Sequence, residues 1–209
     1  MFRILSLLII AAAIYWLFNF GKKNGFSIKT LLNNLISAVI NSVKKISEFK
    51  NQALSEKINS IKKLLYLVTV ALFLIMAISA FIPAIIFGGS LSGVFLLIHV
   101  TAAPFFAVSL ALTIVIYAQQ NKFGTKDFKN QTDFNNLNSL KLNNSGNQKL
   151  IFWLFTFFSL PAIVSIILSM FPLFGTEGQN ILLEIHRYST LILFILLVLH
   201  SGLLNLKSN

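Results

Sequence analysis

The sequence predicts an all-α protein, a multi-pass membrane helical bundle with a four-helix core preceded by an N-terminal transmembrane anchor helix. Three observations carry this. Hydrophobic residues make up 56% of the 209 and charged residues only 11%, whereas a water-facing domain carries roughly 25% charged residues. Mean hydropathy is +0.80, and the apolar residues gather into five windows near the roughly 20 residues that a bilayer requires. The lysines fall almost entirely between those windows.

The first window, residues 2–20, is interrupted only by Arg3, Ser6 and Asn19. It has a basic start and an apolar stretch like a signal peptide, but no small-x-small site between Tyr15 and Lys22, so it reads as an uncleaved anchor. The second, 64–87, has no charged residue. The third, 94–118, contains His99 and ends near Tyr117. The fourth, 150–174, is uncharged, and the fifth, 181–206, holds Glu184, His186, Arg187 and His200.

Orientation follows from the lysines. Residues 21–63 carry nine (Lys22, Lys23, Lys29, Lys44, Lys45, Lys50, Lys57, Lys62, Lys63), and 119–149 carry five (Lys122, Lys126, Lys129, Lys141, Lys149), with Lys207 in the tail. The connections 88–93 and 175–180 hold none and a single acid, Glu177. Five spans in the inner membrane, N-terminus outside and C-terminus cytoplasmic, put every lysine-bearing loop on one side. The net charge of +11 therefore points to anionic lipid rather than nucleic acid. Within 21–63, Ile28, Leu32, Leu35, Val39, Val43, Ile46, Ala53 and Ile61 recur near helical spacing, predicting an amphipathic helix on the inner leaflet, on a partner subunit, or merely connecting. Residues 119–149 are Asn-rich without an apolar period and read as irregular linker. No internal repeat is visible.

With no cysteine in the chain, disulfides, thiolate-held zinc and iron–sulfur clusters are excluded, as is c-type haem attachment. The chemistry rests on three histidines, all inside spans, where ionisable groups are rare and functional. Counted from their window starts, His99 and His186 both lie about 8 Å below the outer end. Two imidazoles at matched depth on facing helices suit the two axial positions of a haem iron packed between helices. His200 follows His186 by 14 positions, about 40° short of four full turns and about 21 Å deeper on the same helix face. Arg187 beside His186 is placed to pair with haem propionates, and Pro104 frees the Val100 carbonyl for a bend near His99.

A span that holds two histidines with thirteen residues between them resembles the last helix of the membrane cytochrome b subunits of formate dehydrogenase and nickel–iron hydrogenase. The resemblance covers the four spans in residues 64–206. It implies a haem b at His99 and His186, a second at His200, quinone as electron carrier, and larger redox subunits bearing iron–sulfur clusters or c-type haems as partners. The family pattern places a histidine near the inner end of the second span as partner to His200; here Tyr66, Leu67, Val68 and Thr69 stand there. The inner haem is then absent, five-coordinate, or ligated by another subunit or by Tyr66. Proton carriers for quinone chemistry would be Glu184 and Glu177 near the outer face, and Tyr66 and Tyr117 near the inner. The alternative is a haem-free anchor or small transporter whose intramembrane histidines form a proton relay. A third reading is a lipid-binding scaffold built on the lysine-rich helix.

Overall fold

The computed structural model describes residues 2–25, 27–47, 54–88, 91–128 and 142–204. Lys50, Lys129, Lys141, Lys207 and Ala53 lie outside the described residues. Six helices follow in order: α1 (Phe2–Asn24), α2 (Ile28–Ser47), α3 (Leu54–Ile82), α4 (Gly93–Ala118), α5 (Asn144–Ser169) and α6 (Gly175–Leu204). Among the described residues there is no strand, and five helices are long and apolar enough to cross a membrane. The all-α expectation holds, with shifted boundaries. Helix α3 starts ten positions before its apolar window, α5 stops at Ser169, and α6 starts at Gly175.

The chain divides into two compact units. In the first, α3 and α4 form a hairpin, with α2 packed on α3. Its interior is built from Leu67, Phe73, Ala77, Ala102, Phe106 and Leu110 together with Thr69, Ser79, Ser109 and Thr113. Thr69 and Thr113 hydroxyls meet at 2.9 Å across the hairpin, and the Tyr66 and Tyr117 rings lie 6.2 Å apart nearby. In the second unit α5 and α6 form a hairpin over Ile151, Ala162, Leu191, Leu193 and Leu196, with Ser159, Ser165 and Ser189 buried. Other large apolar side chains point outward: Val115 is 76% exposed and Phe157 64%. Serines, threonines and alanines among the larger residues between the helices, with bulky apolar ones on the outer surface, suit helices packed in lipid, where small and hydroxyl residues allow close backbone approach.

Helix α3 ends through a π-helical turn, Pro83–Phe87. Proline has no N–H to continue the ladder, and the Gly88 amide closes the wider turn onto the Pro83 carbonyl at 3.1 Å. Gly88 is left-handed at φ +66°, a conformation that favours glycine. The carbonyls orphaned by this ending have a donor: Arg3 Nε reaches Ile85 O at 3.0 Å and Nη2 reaches Ile86 O at 3.3 Å. A Cβ on Gly88 would strike that guanidinium. Position 3 and the turn before residues 88–93 thus occupy the same end of this unit, as antiparallel spans require. In the second unit, Gln148 at the start of α5 donates to Leu203 O at the end of α6, and Gly202 gives room to Trp16.

The ends of the segment 119–149 are not irregular. A 3-10 turn, Thr125–Asp127, precedes an isolated bridge between Phe128 and Leu142. Asp127, 3% exposed, accepts from Gly124 N at 2.8 Å, Ser145 Oγ at 3.1 Å and Lys149 Nζ at 2.8 Å. Its own carbonyl takes the Asn143 amide and sits so close to Gly146 that only hydrogen fits there. Asn143 caps α5 by accepting from Gly146 N, and Trp153 Nε1 donates to Asn121 O. The linker reading is corrected for these ends, because polar side chains clasp them where apolar periodicity is silent.

Candidate functional site

Each hairpin has on its second helix a histidine, His99 on α4 and His186 on α6, whose Nδ1 is held in the same way. In the first hairpin, His99 Nδ1 lies 3.1 Å from the Met76 carbonyl on α3. A carbonyl only accepts, so Nδ1 carries the proton and the ring's lone pair lies on Nε2. Three residues on from Met76, the Ser79 hydroxyl donates to the same carbonyl at 3.0 Å and lies 3.2 Å from Nδ1. In the second hairpin, His186 Nδ1 lies 2.7 Å from the Ala162 carbonyl on α5. Again three residues on, Ser165 Oγ donates to that carbonyl at 3.3 Å.

Serine bonds back to a carbonyl three residues earlier are common here, as at Ser109 and Ser169. What singles out Met76 and Ala162 is that a histidine from the next helix shares the acceptor. The motif is a carbonyl at position i, serine at i+3 and an imidazole across the interface. No sequence pattern announces it, since the acceptor is main chain and the histidines occupy unequal places: His99 six positions after Gly93, His186 eleven after Gly175. The extra turn of α6 before residue 181 changes the depth count from the helix start. Counted along the partner helices, Met76 lies six positions before the last residue of α3 and Ala162 seven before that of α5, so each imidazole sits about 10 Å below its partner helix's end.

His200 is partly buried in the last turns of α6. Arg187 is exposed and forms an ion pair with Glu184 one turn earlier, Nη1 to Oε1 at 2.8 Å. That pairing uses part of a guanidinium with five N–H donors and engages one of the two outer acids proposed as proton carriers. Pro104 and Pro161 lie inside α4 and α5, whose helical assignment runs on unbroken past them. No cluster of three or more metal-ligating side chains occurs among the described residues. A haem iron asks for one or two imidazoles rather than such a cluster. Comparison with protein-family models, with curated proteins and with solved structures returns no match.

Proposed function

We propose that this chain is a membrane electron-transfer subunit, a b-type cytochrome in which His99 and His186 ligate one haem iron. The observation that carries the reading is the repeated fixing of Nδ1 on a main-chain carbonyl. A ligating imidazole needs its lone pair on a defined nitrogen and its ring held, and a second hydrogen bond from the other nitrogen does both. A main-chain carbonyl accepts a hydrogen bond but does not pass a proton on, which weighs against a relay through these contacts. A haem-free bundle whose histidines are simply bonded to carbonyls shares the feature, and the haem spectrum separates the two readings. Bound haem supplies one-electron transfer; the chain's own part is to orient the imidazoles and exclude water with apolar helices. Arg187 offers its charge to the propionates from the N-terminal half of α6. His200 stands as ligand of a second haem at the other end of the helix.

Quinone is the small-molecule electron carrier in this proposal. Oxidation of a primary substrate belongs to larger partner subunits bearing iron–sulfur clusters or c-type haems. The inner cell membrane, N-terminus outside, is the proposed location. The dithionite-reduced minus oxidised spectrum of the purified protein tests the reading: sharp α and β bands of a low-spin b-type haem are expected, and a flat spectrum from haem-replete cells overturns it.

A second expectation concerns the serines. Ser79 and Ser165 compete with the imidazoles for their carbonyls, which limits how far Nδ1–H polarises toward oxygen. Replacing either by Ala strengthens the remaining bond, makes the ligand more electron-rich and shifts the haem potential downward. Redox titration of Ser79→Ala and Ser165→Ala reads this, with haem content unchanged.

A further inference from the structure

Helix α2 has no part in the haem proposal, yet it is the most sharply sided helix of the chain. Its start is fixed locally: Thr30 N donates to Ser27 Oγ at 3.2 Å while Ser27 N donates to Thr30 Oγ1 at 2.7 Å, a reciprocal N-terminal cap. At about 100° per residue its described side chains divide into three faces. One is buried, marked by Ser42 at 2% exposure, as expected of a helix packed on α3. A second is polar and exposed: Asn33, Asn34, Ser37, Asn41 and Lys44.

The third is apolar and exposed. Ile36, Val39, Ile40 and Val43, at i, i+3, i+4 and i+7, are 43–59% exposed. A helix in water turns such a stripe inward. The leading turns of α3 repeat the pattern, with Leu54, Ile58 and Ile61 exposed.

Three observations identify what covers the stripe. Helix α2 begins four residues after the last residue of α1, a helix apolar enough to span a bilayer, with Gly25 at φ +75° in the turn. That short tether keeps the start of α2 at the membrane surface. Residues 21–63 carry nine lysines against two acids, Glu48 and Glu56, which suits an anionic surface. Finally, α3 buries Ser60, four residues before its apolar window opens at Leu64 and so about 6 Å outside the hydrocarbon. Helix α2 ends seven residues before α3 begins at Leu54 and packs on it, so it meets α3 near this level, in the headgroup layer, which is about 5–7 Å deep on each side.

We propose that α2 is an interfacial helix whose Ile36, Val39, Ile40 and Val43 enter the acyl boundary of an anionic leaflet, with Lys29 and Lys44 on lipid phosphates. The depth expected for such a helix is about 5–10 Å, and lysine stems let the ammonium reach headgroups from the edge of an apolar stripe. The occupant is lipid, and the claim is independent of haem.

The chain has no cysteine, so a nitroxide on Ile40→Cys in the full-length protein is unique. In phosphatidylcholine vesicles containing phosphatidylglycerol, spin-label relaxation at position 40 is expected to respond to oxygen and not to an aqueous nickel chelate. A label on Asn34→Cys is expected to respond the opposite way. Lys29→Gln with Lys44→Gln should weaken the oxygen preference at position 40, as should omission of phosphatidylglycerol. Equal nickel access at 34 and 40 overturns the proposal. So does shielding of position 40 from both reagents, which would mean that protein, a second copy or a partner subunit, covers the stripe.

Discussion

On the proposed ligation, replacing His99 or His186 by Ala is expected to abolish the six-coordinate low-spin signal of the haem, and replacing His200 to leave that signal intact. The asymmetry follows from position. His99 and His186 each hang from a carbonyl of the neighbouring helix, at Met76 and Ala162, whereas His200 lies about 21 Å further along α6. If both imidazoles hold the iron, loss of either would remove one of its two protein ligands, so the optical change is expected to be complete rather than graded. The helices survive, because each hairpin is held by packing around Phe73, Phe106, Leu191 and Leu193, none of which touches the argument about ligands. Absorption and electron paramagnetic resonance spectra of the three variants check it. An unaltered low-spin spectrum in the His99 or His186 variant sinks the ligand assignment; equal losses in all three point to a coupled relay.

Replacing Lys149 by Met releases the clasp beside α5. Asp127 is 3% exposed and Lys149 ends 2.8 Å from its Oδ2. The pair lies near the surface, with Lys149 one-fifth exposed, and Asp127 keeps the Gly124 and Ser145 donors, so losing this charge-assisted hydrogen bond costs roughly 1.5–3 kcal/mol. Amide exchange at Gly124, Asn143 and Gly146, whose N–H groups bond within the clasp, should accelerate by about 10-fold or more, since each 1.4 kcal/mol is tenfold. Asp127→Asn combined with Lys149→Met removes the stray charge and should recover part of the loss; a double variant as open as the single one would falsify this account.

The pH dependence has a definite sign. The Lys149 hydrogen bond, then the Gly124 amide, hold the Asp127 carboxyl below the usual carboxylate range. A depressed pKa stabilises the fold fully above the unfolded value, about pH 4. That contribution is lost as pH falls through the folded value. Protection at these amides should therefore stay flat through neutral pH and fall only in strong acid.

The spans were legible in the sequence because lipid imposes one rule on every residue of a crossing helix. Their ends were not. Helix α3 begins at Leu54, in a stretch with Lys57, Lys62 and Lys63, where a helix can run on outside the hydrocarbon and hydropathy does not register it. The three histidines stood out by residue type and place, but the Met76 and Ala162 carbonyls could not, as every residue has a carbonyl. The duplication of the two hairpins was invisible for the same reason: the shared device is main chain plus a serine, spaced differently from each histidine. Asp127 offered a signal that went unused, being one of six acids in the chain and lying in the segment that ends at Lys149.

The Arg3 contact fixes an order in time. Arg3 and Ile85 are separated by 82 residues, and at roughly 5–20 residues per second a ribosome needs about 4–16 s to make that length. Helix α1 must therefore enter the bilayer long before the carbonyls its arginine serves have been synthesised. Those carbonyls in turn precede every residue of α4, Gly93–Ala118, so α1 can be seated on the end of α3 before the α3–α4 hairpin closes.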